Sequence, residues 1–196
     1  MIDKAMTFIS DFLNYEIRLR HGIKDAAVIV GSLINLDGSV TENIENKIVA
    51  SIINLEHETT VKSLGNYVVN DNNQFGKIAP PVYLNLYLLI SANYNSANYM
   101  EALKMLSTVI SVFQANPYFT KQLNPDMPSP LERLTLEIFN LPINELSHIW
   151  SGIGAKYVPS ILYKVRMITI QEEVIKETVS GIAALDGSLT IENDSL

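Results

Sequence analysis

The stretch VYLNLYLLI, residues 82–90, alternates with the two-residue period of a β-strand. One face carries Val82, Leu84, Leu86, Leu88 and Ile90, and the other carries Tyr83, Asn85, Tyr87 and Leu89. The aliphatic face predicts contact with a hydrophobic core. The tyrosine-bearing face suits a surface that the subunit covers only in part, because a tyrosine ring gives apolar contact while its hydroxyl still reaches water or a partner. We therefore predict that Tyr83, Asn85 and Tyr87 lie in a contact between subunits, with an internal polar contact as the alternative.

The segments around this strand predict an α+β domain. Hydrophobic periodicity and turn residues predict a helix over 2–20, strands over 26–33, 47–60 and 82–94, a helix over 96–114, a strand over 131–140, a helix over 143–152 and a last strand over 160–171. Residues 131–140 also fit a helix, and we favour the strand. Residues 62–79 predict a flexible hairpin, and residues 117–130 a proline-rich loop. The order α-β-β-β-α-β-α-β predicts a single, mostly antiparallel sheet flanked by helices.

The helix over 96–114 carries an unusually wide apolar arc. Its main stripe is Tyr99, Leu103, Leu106, Ile110 and Phe113, and a second stripe of Ala102, Met105, Val109 and Val112 lies beside it. An arc this wide predicts burial on two sides, against the sheet and against a partner. We therefore add Met105, Val109 and Val112 to the candidate contact residues. Lys164 and Arg166 join them, since they alternate with the apolar residues of the last strand.

Composition and charge narrow the class of protein. The chain is 47% apolar and 18% charged, which predicts a folded domain, and it has no cysteine. The net charge of −7 argues against nucleic-acid binding. No apolar run approaches the ~20 residues that span a bilayer, and acidic residues interrupt the first 22 positions, so we expect neither membrane contact nor a signal peptide.

The last 25 residues differ in charge from the rest of the chain. Residues 172–196 carry six acidic residues and one lysine, whereas residues 1–171 are close to neutral. We therefore predict one α+β domain over 1–171 and an acidic C-terminal arm over 172–196. Val174, Ile175, Val179 and Ile182 allow a marginal helix within the arm.

Few residues suggest chemistry. Glu56-His57-Glu58 has the residue types of an acid–base or metal cluster, but on a strand His57 points away from both glutamates. We expect this segment to be a strand end that emerges into solvent. The segment GIGAK, 152–156, lacks a full phosphate-binding motif and follows a helix, which favours a helix cap and a turn. We therefore predict no catalytic residue, cofactor or metal, and a protein that is not an enzyme.

Four segments occur in an order that resembles a known family. They are MIDKAMTFISDFLNYEIRLR, KIVASIINLEHETT, PPVYLNLYLLISANYNSANYMEALKMLSTVISVFQANPYF and HIWSGIGAKYVPSILYKVRMITIQ. Together they resemble the domain of unknown function in cap, or tail-terminator, proteins of extracellular contractile injection systems of the antifeeding-prophage type. The resemblance covers roughly residues 1–171.

This resemblance implies a structural protein of a phage-tail-like particle. It implies a homo-oligomer, a hexameric cap that ends the inner tube and attaches the last sheath ring, with tube protein and sheath protein as partners. Such a particle is assembled in the bacterial cytoplasm and is then released or anchored to a membrane. Two alternatives stay open: an adaptor subunit of the same particle, and a small ligand-binding domain that uses His57 or the 152–156 loop.

Overall fold

The computed structural model describes residues 1–60, 67–69, 74–78, 81–170 and 175–180. The chain divides into two compact units. The first consists of Met1–Val61 and Val82–Ile170, and the second of Lys62–Pro81 and Gln171–Leu196. In chain order the elements are α1 (Ile2–His21), β1 (Val28–Val30), β2 (Lys47–His57), β3 (Tyr67–Val69), β4 (Gln74–Ile78), β5 (Val82–Asn93), α2 (Tyr99–Ala115), β6 (Tyr118–Thr120), β7 (Arg133–Ile138), α3 (Ile143–Ile153), β8 (Ser160–Ile170) and β9 (Ile175–Ser180).

The first unit is built on a six-stranded sheet. Its strand order is β1-β2-β5-β8-β7-β6. All neighbours are antiparallel except β1 and β2, which are parallel. The predicted mixed α+β fold with a mostly antiparallel sheet is therefore confirmed. The three-residue strand β6 lies in the segment that was expected to be a loop.

The second unit contains a separate sheet, so the expectation of one single sheet is wrong. Strands β3 and β4 pair antiparallel, which confirms a hairpin over the described part of residues 62–79. Strand β9 pairs antiparallel with β4 and forms the third strand. Residues Ile175–Ser180 are therefore extended, and the marginal helix predicted there is wrong. Val174 and Ile182, which were also part of the predicted helix, lie outside the described residues.

The aliphatic face of β5 belongs to the larger hydrophobic core. Leu86, Leu88 and Ile90 are fully buried and pack with apolar residues of α1 and α2, as predicted. Val82 is 43% exposed, which corrects its assignment to the core. The pairing with β8 shifts register between Leu84 and Leu86. The extra residue lies in β8, which runs three residues from Val165 to Ile168 while β5 runs two from Leu86 to Leu84.

A second, smaller core covers the other face of the sheet. Leu89, Val49 and Leu162 project from β5, β2 and β8 and pack with Trp150 of α3. The loop after β1 contributes Leu33 and Ile44. The sheet is thus covered on both faces, by α1 and α2 on one and by α3 with this loop on the other.

Local sequence features set the ends of the helices and close one edge of the sheet. Gly22 and Gly154 adopt left-handed conformations (φ 69° and 74°) at the C-terminal ends of α1 and α3, where glycine avoids the strain of a Cβ. Beside β1, Oδ1 of Asn14 accepts from the N–H groups of Ala27 and Val28 at 2.9 Å, and its Nδ2 donates to the carbonyl of Val28 at 2.9 Å. No helix in the described part of the chain combines the length and the apolar character needed to cross a bilayer.

Candidate assembly interface

A network of polar side chains occupies the tyrosine-bearing face of the sheet, and half of the predicted contact residues belong to it. Asn85 and Tyr87 come from β5, and Lys164 and Arg166 from β8. They meet Glu56 and Glu58, at the end of β2, and Arg166 also lies 3.7 Å from Glu137 of β7. Glu56, Glu58 and Glu137 were not predicted as members. Their participation depends on strand pairing, which places Glu56 opposite Asn85 and Glu137 opposite Lys164.

The Glu58 carboxylate is the buried centre of this network. It accepts hydrogen bonds from Nδ2 of Asn85 at 3.0 Å, from the N–H of Thr60 at 3.0 Å and from Nη2 of Arg166 at 3.2 Å. The hydrogen bonds from Asn85 and Thr60, followed by that from Arg166, lower the pKa of Glu58 to about 2. Glu56 and His57 are exposed, as expected for a strand end in solvent. Glu58 is buried, so the expected exposure to solvent is wrong for this residue. Its charge is accommodated because Asn85 and Arg166 donate hydrogen bonds to it.

Tyr87 joins the polar network to the apolar part of the same face. Its hydroxyl donates to Oε2 of Glu56 at 2.8 Å, and Nζ of Lys164 reaches the same oxygen at 2.8 Å. The Tyr87 ring packs edge-to-face on Phe139, with centroids 4.9 Å apart, and the Lys164 ammonium lies 5.4 Å from the Tyr87 ring centroid. The bond to Lys164, then that to Tyr87, lowers the pKa of Glu56; the bond to Glu56 raises the pKa of Lys164. Burial, followed by the bond to Glu56, raises the pKa of Tyr87.

Asn85 and Tyr83 complete the predicted strand face in different ways. Asn85 is buried, and its Oδ1 has no hydrogen-bond partner among the described residues. The Tyr83 side chain is half-buried, and its backbone carbonyl accepts from the N–H of Glu58 at 2.8 Å. For Asn85, and in part for Tyr87, the structure therefore shows the internal polar contact that was the alternative. A contact of this face with another subunit stays a prediction.

The three α2 residues that were proposed as contacts lie elsewhere. Met105, Val109 and Val112 are at most 1% exposed and belong to the larger core. A partner could not reach these side chains without unpacking that core, so the structure separates them from the candidate interface. The other stripe of α2 is accessible in part: Leu103, Leu106 and Ile110 are half-buried and Tyr99 is 51% exposed, whereas Phe113 is buried.

The charged groups of the network are paired with one another. Lys164 and Arg166 are each paired with a carboxylate, and no histidine takes part in the described contacts of the network. Among the described residues, no group of three or more histidine, cysteine, aspartate or glutamate side chains is placed to hold a metal ion. Paired charges of this kind on a sheet face set the orientation of contacts with a partner surface.

A sequence family and solved structures are similar to this chain. The sequence matches the family model described as the Pvc16 N-terminal domain over residues 7–182. No curated protein sequence matches the chain. The sheath/tube terminator of the extracellular contractile injection system PVC, in its extended state, superposes with a TM-score of 0.67 at 15% identity, covering 100% of this chain and 64% of that one.

A second solved structure shares the fold. It is the tube-terminating cap of the anti-feeding prophage, with a TM-score of 0.57 and 15% identity, covering 92% of this chain and 60% of that one. The chain therefore spans less than two thirds of the length of both structures. At this identity the two structures show the fold, whereas the family match covers most of the sequence. This chain belongs to the Pvc16 N-terminal domain family.

Proposed function

We propose that this chain is a structural subunit of a phage-tail-like contractile injection particle, in which it ends the inner tube and attaches the last sheath ring. The observation that carries the proposal is the family match over residues 7–182, supported by a fold shared with a sheath/tube terminator over the whole of this chain. The subunit acts as a homo-oligomer, a hexamer matched to the tube. It is assembled with the particle in the bacterial cytoplasm.

The described surface fits such a role physically. A ring that closes by head-to-tail contacts needs two different patches on each subunit. The sheet face around Tyr87 and the accessible stripe of α2 are distinct surfaces that carry apolar and aromatic side chains, which interfaces favour. Asn14 pairs with the backbone groups of Val28 at the edge of β1, which leaves fewer free groups there for another strand. These features support an assembly protein, and no enzymatic activity is part of the proposal.

The test is to mix the purified chain with tube and sheath proteins of the same particle. We expect rings at one end of each tube, seen by negative-stain imaging with a gold-labelled tag on the chain, and tubes that stop growing once labelled. Rings that never bind a tube end would favour the adaptor alternative. A chain that stays monomeric with tube protein present and leaves tube ends bare would refute the proposal.

A further inference from the structure

An open groove of about 970 Å³ crosses the second face of the sheet. Ile53, Tyr87 and Leu162 contribute to its floor, with Ile34 from the loop after β1 on one side and Ile149 from α3 on the other. None of the groove residues that the structure describes carries a formal charge. Burying an unpaired charge in such a place is costly, so the groove selects an uncharged, apolar occupant.

The chain itself offers a surface of that kind on α2. Tyr99, Leu103, Leu106 and Ile110 follow each other at spacings of four, three and four residues and form one stripe along the helix. Tyr99 is 51% exposed and the other three are half-buried. At about 1.5 Å per residue the stripe is about 16 Å long. The charged neighbours Glu101 and Lys104 pair with each other at 3.4 Å, which leaves the stripe without net charge.

The groove and the stripe lie on opposite sides of the sheet. Helix α2 buries Met105 and Val109 in the core that contains Leu88 and Ile90. The groove opens on the other face, where Leu162 belongs to the second core. The α2 stripe of one subunit therefore cannot fill the groove of the same subunit, and only the α2 stripe of another copy could enter it.

We propose that the α2 stripe of one subunit docks into the uncharged groove of the next. This inference rests on the proposed function and names the two different patches that a head-to-tail ring requires. Each subunit then donates one helix and accepts one helix, so the contact repeats until the ring closes. Tyr87, at the groove floor, links this contact to the polar network.

Cross-linking tests the pairing directly, because the chain contains no cysteine of its own. The variant Asn54→Cys places a thiol at the groove and Leu103→Cys places one on the stripe. With tube protein present and a short bis-maleimide, we expect the double variant to give a ladder of cross-linked multimers. An equimolar mixture of the two single variants should give dimers and nothing larger. The double variant of Asn54→Cys and Lys24→Cys, whose lysine is exposed outside both surfaces, should give no ladder.

A charge variant tests the same contact without a cross-linking reagent. Asn54→Asp keeps the size of the side chain and adds one negative charge to the groove, so we expect self-association to weaken by about tenfold or more. Asn144→Asp adds the same charge at an exposed position outside the groove residues and should leave association unchanged. Light scattering over a concentration series measures both.

The outcomes separate this inference from the proposed function. Rings on tube ends without the 54–103 cross-link, or dimers from either single variant alone, would overturn the pairing and leave the terminator role standing. A 54–103 ladder from a protein that never binds tube ends would support the pairing and refute the terminator role.

Discussion

Leu86 and Tyr87 are neighbours in β5 whose side chains serve opposite faces of the sheet, and they form a matched pair of mutations. Leu86 is fully buried in the larger core. Its replacement by alanine removes buried methyl groups and leaves a cavity, which costs about 2–5 kcal/mol of the free energy of unfolding. A domain of this size loses about 2–4 °C in Tm per kcal/mol, so a central loss of about 3 kcal/mol lowers Tm by about 6–12 °C.

Tyr87→Phe should affect the isolated subunit far less. The ring stays, and with it the edge-to-face contact with Phe139. Only the hydroxyl is lost, which donates to the exposed carboxylate of Glu56. A hydrogen bond of this kind contributes little beyond what water replaces, so we expect Tm to fall by less than about 3 °C.

Differential scanning calorimetry of the subunit and light scattering with tube protein measure the two effects separately. We expect Leu86→Ala to lower Tm and Tyr87→Phe to weaken assembly while the subunit stays folded. If the two variants lower Tm equally, the tyrosine-bearing face is ordinary core. If Tyr87→Phe changes neither stability nor assembly, the hydroxyl has no part in the contact.

Three further predictions concern other parts of the chain. The folded pKa of Glu58 lies below the ordinary carboxyl value of 4.5, so its contribution to stability is present above pH 4.5 and is lost as the pH falls towards 2. Glu58→Gln should therefore make Tm depend less on pH in that window, and a variant with the same acid profile as the unchanged protein would contradict the assignment. Ser91 is fully buried and its hydroxyl has no partner among the described residues, so Ser91→Ala should leave thermal stability equal or raise it by up to about 1 kcal/mol, and a clear fall would show that the hydroxyl is satisfied. Truncation after Glu173 removes β9, whose strand partner is β4 of the second unit. The larger unit should therefore keep its Tm within a few degrees by calorimetry, while assembly weakens. An insoluble product would contradict this.

The parts of the fold that followed from sequence are those with a long, regular pattern. Helix α2 and strand β8 occupy nearly the predicted residues, because many apolar positions repeat at one period. Strand β6 has three residues, too few to show any period, and it exists because it pairs with β7. The Met105 stripe is buried more completely than the Leu103 stripe because of tertiary packing: both stripes are apolar, and the position of the sheet decides which one it covers.

The candidate site was predictable in part for a related reason. Tyr87 and Lys164 were identified because each interrupts an apolar strand with a residue type that suits an interface. Glu58 was not, because its burial depends on Arg166, which lies 108 residues away in the chain, and on the pairing of β2 with β5 that brings Asn85 beside it. The alternation of residues along a single strand contains no information on these contacts between strands.

The Asn14 side chain beside β1 affects how the edge of the sheet can pair with other peptides before assembly. An uncovered strand edge is a template on which any extended peptide, including another copy of the same protein, can polymerise or aggregate. The Asn14 side chain presents an acceptor and a donor to β1 in the way that a neighbouring strand would. Asparagine is a poor residue for the middle of a helix, so α1 sacrifices a little local stability at this position. In return the N–H and carbonyl groups of Val28 already have partners within the chain, so an incoming strand finds no free backbone group at this residue.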